Sequence, residues 1–143
     1  MPAAEIEIGQ VLARYCVTLD RRDWDGVRAC FHLDAAIDYG RLVRGEVDAL
    51  VAFLAAETAS LDATLHLLTT CAIDVAVDVG RATVESYVVA EHRGPEDHPW
   101  CRGQVTAWVR YEDAFERRGG TWAIAARRAR VAWTRAGSSS SGG

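Results

Sequence analysis

The sequence predicts an α+β domain, on three observations. Apolar side chains recur at helical spacing up to about residue 59, they alternate at strand spacing from residue 64 onward, and the period changes only once. Helices first and antiparallel strands afterwards indicate α+β architecture rather than alternating α/β units. At 143 residues, half of them apolar and a quarter charged, the chain suits one domain with its own core.

The elements follow in order. Ile8, Val11, Leu12, Tyr15, Cys16 and Leu19 form one apolar face of a helix over about residues 4–19. Asp23 is placed to cap a short second helix, Trp24 to Phe31, buried through Val27 and Phe31. Ala35 to Tyr39 is a short extended piece closed by Gly40. Gly45 precedes a third helix, Glu46 to about Ala59, with Val47, Leu50, Val51 and Leu54 inward. Thr64 to Val79 then reads as a strand, alternating through Ile73, Val75, Val77 and Val79 and ending at Gly80. Ala82 to His92 is a second strand. A loop with Gly94, Pro95 and Pro99 leads to a third, about Arg102 to Glu116, and Arg118-Gly119-Gly120 turns into a fourth, Thr121 to Trp133. Residues 1–136 make the domain, and 137–143, Ser and Gly only, make a flexible tail. A long antiparallel sheet curving around a helix leaves an apolar hollow, the usual place for a small molecule.

Composition removes several function classes. All sixteen Lys-or-Arg positions are Arg, so lysine Schiff-base chemistry and a Walker-type phosphate loop are excluded. Asn is absent as well. The net charge of −4 is scattered and no basic stripe is present, so no nucleic-acid partner is expected. Apolar runs fall short of the roughly 18 residues that span a bilayer. Met1 to Gln10 lacks a basic region followed by an apolar one, so a cytoplasmic protein is expected. Cys16, Cys30, Cys71 and Cys101 show no C-x-x-C spacing and read as small apolar residues. His92, His98 and Cys101 form H-x5-H-x2-C, not a usual zinc spacing, and no dinucleotide fingerprint follows a strand; neither metal nor cofactor is expected.

Two residues suggest chemistry. His66 lies near the start of the first long strand, and Asp20 ends the first helix directly after its apolar face. Each has a plain reading, a core or edge histidine and a solvated helix end. An acid at a helix C-terminus nevertheless opposes the backbone dipole and needs a donor or a cation. Paired, the carboxylate would accept one imidazole N–H, fix the tautomer and stabilise the imidazolium formed when the other nitrogen takes a proton. His92 is a second proton carrier or an exposed strand end. Tyr39 is a carbonyl-polarising hydroxyl or a packing residue. Tyr15, Trp24, Tyr87 and Tyr111 are the candidate substrate-binding aromatics. An outer sheet face with Ala and Val at alternate positions points to a homodimer or higher homo-oligomer.

Leu19-Asp20-Arg21-Arg22-Asp23-Trp24-Asp25, Ile37-Asp38-Tyr39-Gly40, Thr64-Leu65-His66, Tyr111-Glu112-Asp113, Gly120-Thr121-Trp122 and Arg127-Arg128, taken together in this order, resemble a SnoaL-like domain of the nuclear-transport-factor-2-like superfamily. The likeness covers about residues 5–134. It is similar to the branch that holds scytalone dehydratase, bile acid 7α-dehydratase and hexachlorocyclohexane dehydrochlorinase. The resemblance implies a cone-shaped α+β barrel, three N-terminal helices on a curved antiparallel sheet around an apolar pocket. It implies a cofactor-independent lyase, a dehydratase, acting on a small hydrophobic cyclic molecule. There His66 would move the proton and Asp20 would orient it, with Tyr39 and His92 matching a further tyrosine and histidine of scytalone dehydratase. Leu19, Val109 and Tyr111 depart from that enzyme, which has tyrosine, serine and asparagine there, so its substrate does not carry over. An isomerase or cyclase using the same pair on a polyketide, terpenoid or steroid, and a non-catalytic ligand-binding or association module, are the alternatives.

Overall fold

In the computed structural model, residues 3–137 are described. Helix α1, Ala3–Asp20, buries the six side chains that the helical spacing selects, Ile8 through Leu19. Asp23 caps α2, Trp24–Arg28, by accepting the Gly26 backbone N–H at 3.0 Å. Gly26 is required there, because a Cβ would lie 2.5 Å from Asp23 Oδ2 and 2.6 Å from Thr18 Cγ2. The helix expected over 24–31 stops at Arg28, and Phe31 instead opens strand β1, Phe31–Asp38. Tertiary pairing decides this: the Ile124 N–H donates to the Cys30 carbonyl at 3.0 Å and Phe31 registers beside Ile124.

A two-residue strand β2, Arg44–Gly45, pairs antiparallel with the end of β1 and is too short to show a period. Helix α3, Val47–Thr58, buries Val47, Leu50, Val51 and Thr58. Strand β3, Ala63–Ala76, ends three residues earlier than its alternation suggests. Val77–Val79 form a single 3-10 turn with exposed side chains, and Gly80 at φ 60° reverses the chain. Strands β4, Arg81–Arg93, β5, Gln104–Arg118, and β6, Thr121–Ala136, complete one six-stranded sheet in the order β2-β1-β6-β5-β4-β3. β1 and β6 run parallel and every other neighbour pair is antiparallel. The sheet is curved and unclosed, with all three helices packed on one face. Among the described residues no helix is long and apolar enough to cross a membrane.

One ionic pair sits within this core. Arg127 on β6 donates to both oxygens of its cross-strand neighbour Asp113 on β5, at 2.7 and 2.8 Å, and both side chains are essentially sealed from water. The guanidinium lies 4.4 Å from the Tyr15 ring centroid and 4.0 Å from that of Tyr111, so its faces meet aromatic clouds. Breaking such a pair strands a buried charge, whereas replacing both partners by apolar groups need not. We predict that Arg127→Met destabilises the fold by about 3–5 kcal/mol in urea unfolding. Arg127→Met combined with Asp113→Leu recovers most of the loss. Equal losses in the single and double variants would show that the pair is not the interaction at stake.

Candidate active site

Asp20 is the last residue of α1, where unpaired carbonyls make a carboxylate unfavourable. Three donors from β3 offset this. Oδ1 accepts from the Thr64 hydroxyl at 2.9 Å and from His66 Nδ1 at 2.6 Å, and Oδ2 accepts the His66 backbone N–H at 2.9 Å. Burial pushes the Asp20 pKa up, but the hydrogen bonds from His66 and Thr64 outweigh it and hold the carboxyl below its ordinary 3.8. An ionised carboxylate only accepts, so Nδ1 of His66 carries a proton and Nε2 of the neutral ring is left as a base. The two side chains keep 9% and 16% of their surface, which makes neither a solvated helix end nor a sealed core histidine.

His66 lines a cavity of about 720 Å³, within the range of small-molecule sites. Leu19 of α1, Leu54 of α3, Ala90 of β4, Ala107 and Val109 of β5 and Ala129 of β6 supply apolar wall. Tyr15, Tyr39, Tyr111 and His92 also reach it. The Tyr15 and Tyr39 hydroxyls are 2.8 Å apart, and the Tyr111 ring stands 6.0 and 6.2 Å from theirs. Burial, with neighbouring phenols adding to it, raises the Tyr15 and Tyr111 pKa values well above 10, so both remain protonated donors.

His92 registers opposite Thr64, and its ring meets that of His66 edge-on at 6.1 Å. His92 Nδ1 lies 3.1 Å from the Val105 carbonyl and donates to it, which leaves Nε2 unprotonated in the neutral ring. Burial lowers the His92 pKa below its ordinary 6.5, against the opposing pull of the Val105 hydrogen bond. Burial also pushes the Cys16 and Cys30 thiols up to about 11, so neither supplies a thiolate near neutrality.

Two of the expected aromatics stand elsewhere. Trp24, the first residue of α2, packs on the core away from the cavity wall. Tyr87 alternates with the buried Ser86 and Val88, so it points to the opposite face of the sheet, where the Arg110 guanidinium covers its ring at 5.3 Å. Residue type alone suggested both, and neither type encodes a face.

Two residues given no role by the sequence reading take part. Thr64 shares the face of His66 two residues along β3 and completes the donors to Asp20. Trp100 lines the cavity mouth, edge-on to His92 at 5.3 Å and to His98 at 5.0 Å. His98 is buried, and its Nδ1 accepts the backbone N–H groups of Cys101 at 3.1 Å and Trp100 at 3.4 Å. Its Nε2–H then donates to Ser60 Oγ at 3.0 Å. The H-x5-H-x2-C spacing thus marks a loop latch. Among the described residues no group of three His, Cys, Asp or Glu side chains is arranged to hold a metal ion.

Two expectations follow from these hydrogen bonds. Because the His92 pKa is lowered in the fold, the unfolded chain takes up that proton first as pH falls below 6.5, and stability must fall with it. The Asp20 contribution has the same sign but a lower window: it is complete above its unfolded pKa and lost only in stronger acid, so it is constant between pH 6.5 and about 5. His92→Gln is therefore expected to flatten the fall of the urea midpoint from pH 6.5 to about pH 5, and an unchanged slope would refute the assignment. His98→Ala should speed amide exchange at Trp100 and Cys101 roughly tenfold, the equivalent of one lost hydrogen bond. His98→Asn, whose carbonyl can accept the same amides, should restore most of the protection.

The geometry has counterparts among known proteins. A family model described as a SnoaL-like domain matches residues 3–128. A Novosphingobium aromaticivorans structure provisionally assigned as a scytalone dehydratase superposes with a TM-score of 0.80 at 22% identity, over 92% of this chain and 86% of that one. Hexachlorocyclohexane dehydrochlorinase LinA-type3 of Novosphingobium barchaimii superposes with a TM-score of 0.83 at 12% identity, over 96% and 92%. Rv3472 of Mycobacterium tuberculosis, a protein of unknown function, is 28% identical over 90% of this chain and 76% of that one, with a TM-score of 0.73. The first two are distant enough in sequence to show a shared fold and no more. No curated protein matches the chain. The family match runs from the first helix into β6 and includes Asp20 and His66, and the chain belongs to the SnoaL-like domain family.

Proposed function

We propose that this domain is a cofactor-independent lyase, a dehydratase, acting on a small hydrophobic cyclic substrate. One observation carries the reading: Asp20 holds both the Nδ1 proton and the backbone N–H of His66, on the wall of an apolar cavity. His66 Nε2 would remove a proton from a carbon beside a carbonyl or activated ring. Asp20 stabilises the resulting imidazolium. The C–O bond to a neighbouring hydroxyl then breaks, the new double bond forms, and the hydroxyl leaves as water with a proton returned by His66 or supplied by Tyr39; His92, whose Nε2 is unprotonated, is left to take a proton rather than give one. The paired hydroxyls of Tyr15 and Tyr39 suit a substrate carbonyl, since one donates to the other and the second O–H is left for the carbonyl oxygen. Two of the three named structural neighbours, a scytalone dehydratase by provisional assignment and a dehydrochlorinase, are eliminating enzymes by name, which is consistent with this chemistry.

A second reading is isomerisation, favoured by the two imidazoles 6.1 Å apart: a proton taken by one can return to another carbon without a leaving group.

Wild type, His66→Ala, Asp20→Asn and Tyr39→Phe are to be incubated in D2O with a panel of cyclic β-hydroxy ketones, following deuterium incorporation and product mass. His66→Ala should lose roughly 10²- to 10⁴-fold in rate, Asp20→Asn nearly as much, and Tyr39→Phe less. Deuterium exchange without mass loss would select the isomerase. Tight binding of a panel member with no reaction from wild type would replace catalysis by a binding module.

A further inference from the structure

The lip of the cavity carries fixed charges that its apolar walls do not. Arg41 and Arg130 line it, and so does Glu57, in the last turn of α3. Arg130 is already engaged: Nη2 donates to Asp38 Oδ2 at 3.2 Å and Nη1 donates to the Asp38 carbonyl at 3.3 Å. Arg44 takes the other carboxylate oxygen, with Nε 3.2 Å from Asp38 Oδ1. Hydrogen bonds from Arg130 and from the Gly40 N–H hold the Asp38 carboxyl down at about 2, so it stays ionised between the two arginines. Arg41 differs. It is exposed on the cavity lip, and no carboxylate among the described residues lies within ion-pair distance of it.

The turn that carries Arg41 is tightly tied. The Tyr39 N–H donates to the Val43 carbonyl at 2.8 Å, and the Leu42 N–H donates to the Tyr39 carbonyl at 3.2 Å. Arg44 Nε closes the turn on the Gly40 carbonyl at 3.1 Å. Gly40 sits at φ 65°, a conformation that glycine adopts without steric cost. Tyr39 and Arg41 flank it and both reach the cavity, the phenol buried inside and the guanidinium exposed at the mouth. A guanidinium presents five N–H donors in a planar fork that matches a carboxylate, and no other described residue accepts from this one.

We propose that the substrate of this cavity is a cyclic acid, apolar but for one carboxylate, with its ring on the apolar walls and the carboxylate held at the lip by Arg41. This names the substrate class for the proposed reaction and rests on that reading. Charge fixes the orientation. At the inner end Asp20 is ionised and Nε2 of both His66 and His92 is unprotonated, so no cation there receives a carboxylate. Charge also fixes the valence. Three guanidinium groups at the lip, those of Arg41, Arg44 and Arg130, meet two carboxylates, those of Asp38 and Glu57. One positive charge in excess, in a chain of net charge −4, suits a single carboxylate better than a phosphate dianion. Glu57 has no ion-pair partner among the described residues and repels further negative charge, so the lip selects monoacids.

Calorimetric titration of the full chain with 2-naphthoate and with its neutral isostere 2-naphthamide tests this without turnover. Wild type should bind the acid roughly fivefold more tightly, the upper range for one exposed ion pair, and the preference should shrink as salt is raised. Arg41→Gln should abolish the preference while leaving the amide affinity unchanged. Arg41→Lys, which keeps the charge and loses the fork, should retain part of it. Glu57→Gln should tighten the acid roughly twofold and leave the amide alone. His66→Ala should keep the preference, so failure of the reaction in D2O and failure of acid selection at the lip are separate results. A wild type that does not bind the acid, an amide bound as tightly, or a preference that survives Arg41→Gln would overturn the proposal.

Discussion

A helix ends in carbonyls that repel a carboxylate, yet α1 ends in Asp20. The acid is tolerable because β3 delivers a hydroxyl, a ring N–H and a backbone N–H to its two oxygens. Much of the remaining structure depends on that arrangement. It pins the C-terminal end of α1 to the start of β3, and so fixes how the helix lies across the sheet. It also fixes the His66 ring, because a ring nitrogen and the backbone amide of one residue are held by one carboxylate. The contact that positions the helix is thus the contact that sets the tautomer. Burial of the pair strengthens both effects, since few waters compete for the carboxylate.

The cavity beyond His66 joins apolar walls to a few converging polar groups. Its phenols stand against the Arg127–Asp113 pair, whose charge is enclosed by rings rather than by water. A buried charge pair contributes little net stability compared with apolar packing. It does impose a strict geometry on β5 and β6, and hence on the Tyr111 ring that the guanidinium faces. Arg127 Nη1 has no hydrogen-bond partner, so the aromatic faces are its remaining stabilisation. At the mouth, Trp100 is held by a histidine used as a backbone acceptor. One chain therefore employs histidine in two ways, as a ring donor to a carboxylate at His66 and as an acceptor of backbone amides in the loop latch at His98.

Long elements were readable because their periods repeat. Six apolar positions in α1 and the unbroken alternation of β4 leave little room for another assignment. The misreadings occur where the period is too short to count or is overruled. Phe31 suits the end of a helix, but pairing beside Ile124 makes it a strand. Val77 and Val79 continue the alternation of β3, yet the chain is already turning toward Gly80. β2 is two residues long, and only its pairing with β1 defines it. Tyr87 shows a different error: alternation with Ser86 and Val88 already turned it outward, and its aromatic character suggested the pocket instead.

By itself the sequence determined the class of fold, the order of its elements and the chemistry that a chain without lysine excludes, and it marked Asp20 and His66 as candidates. Those follow from local period and from side-chain types, with an acid at a helix C-terminus as the anomaly that needed an answer. Tertiary structure alone decided that Thr64 completes the answer, that Trp100 walls the cavity, that Arg127 stands behind the tyrosines, and that Trp24 does not enter. Each of these is a relation between elements far apart in the chain. Curvature of the sheet and the register between its strands set such relations, and neither is encoded in the residues within one strand.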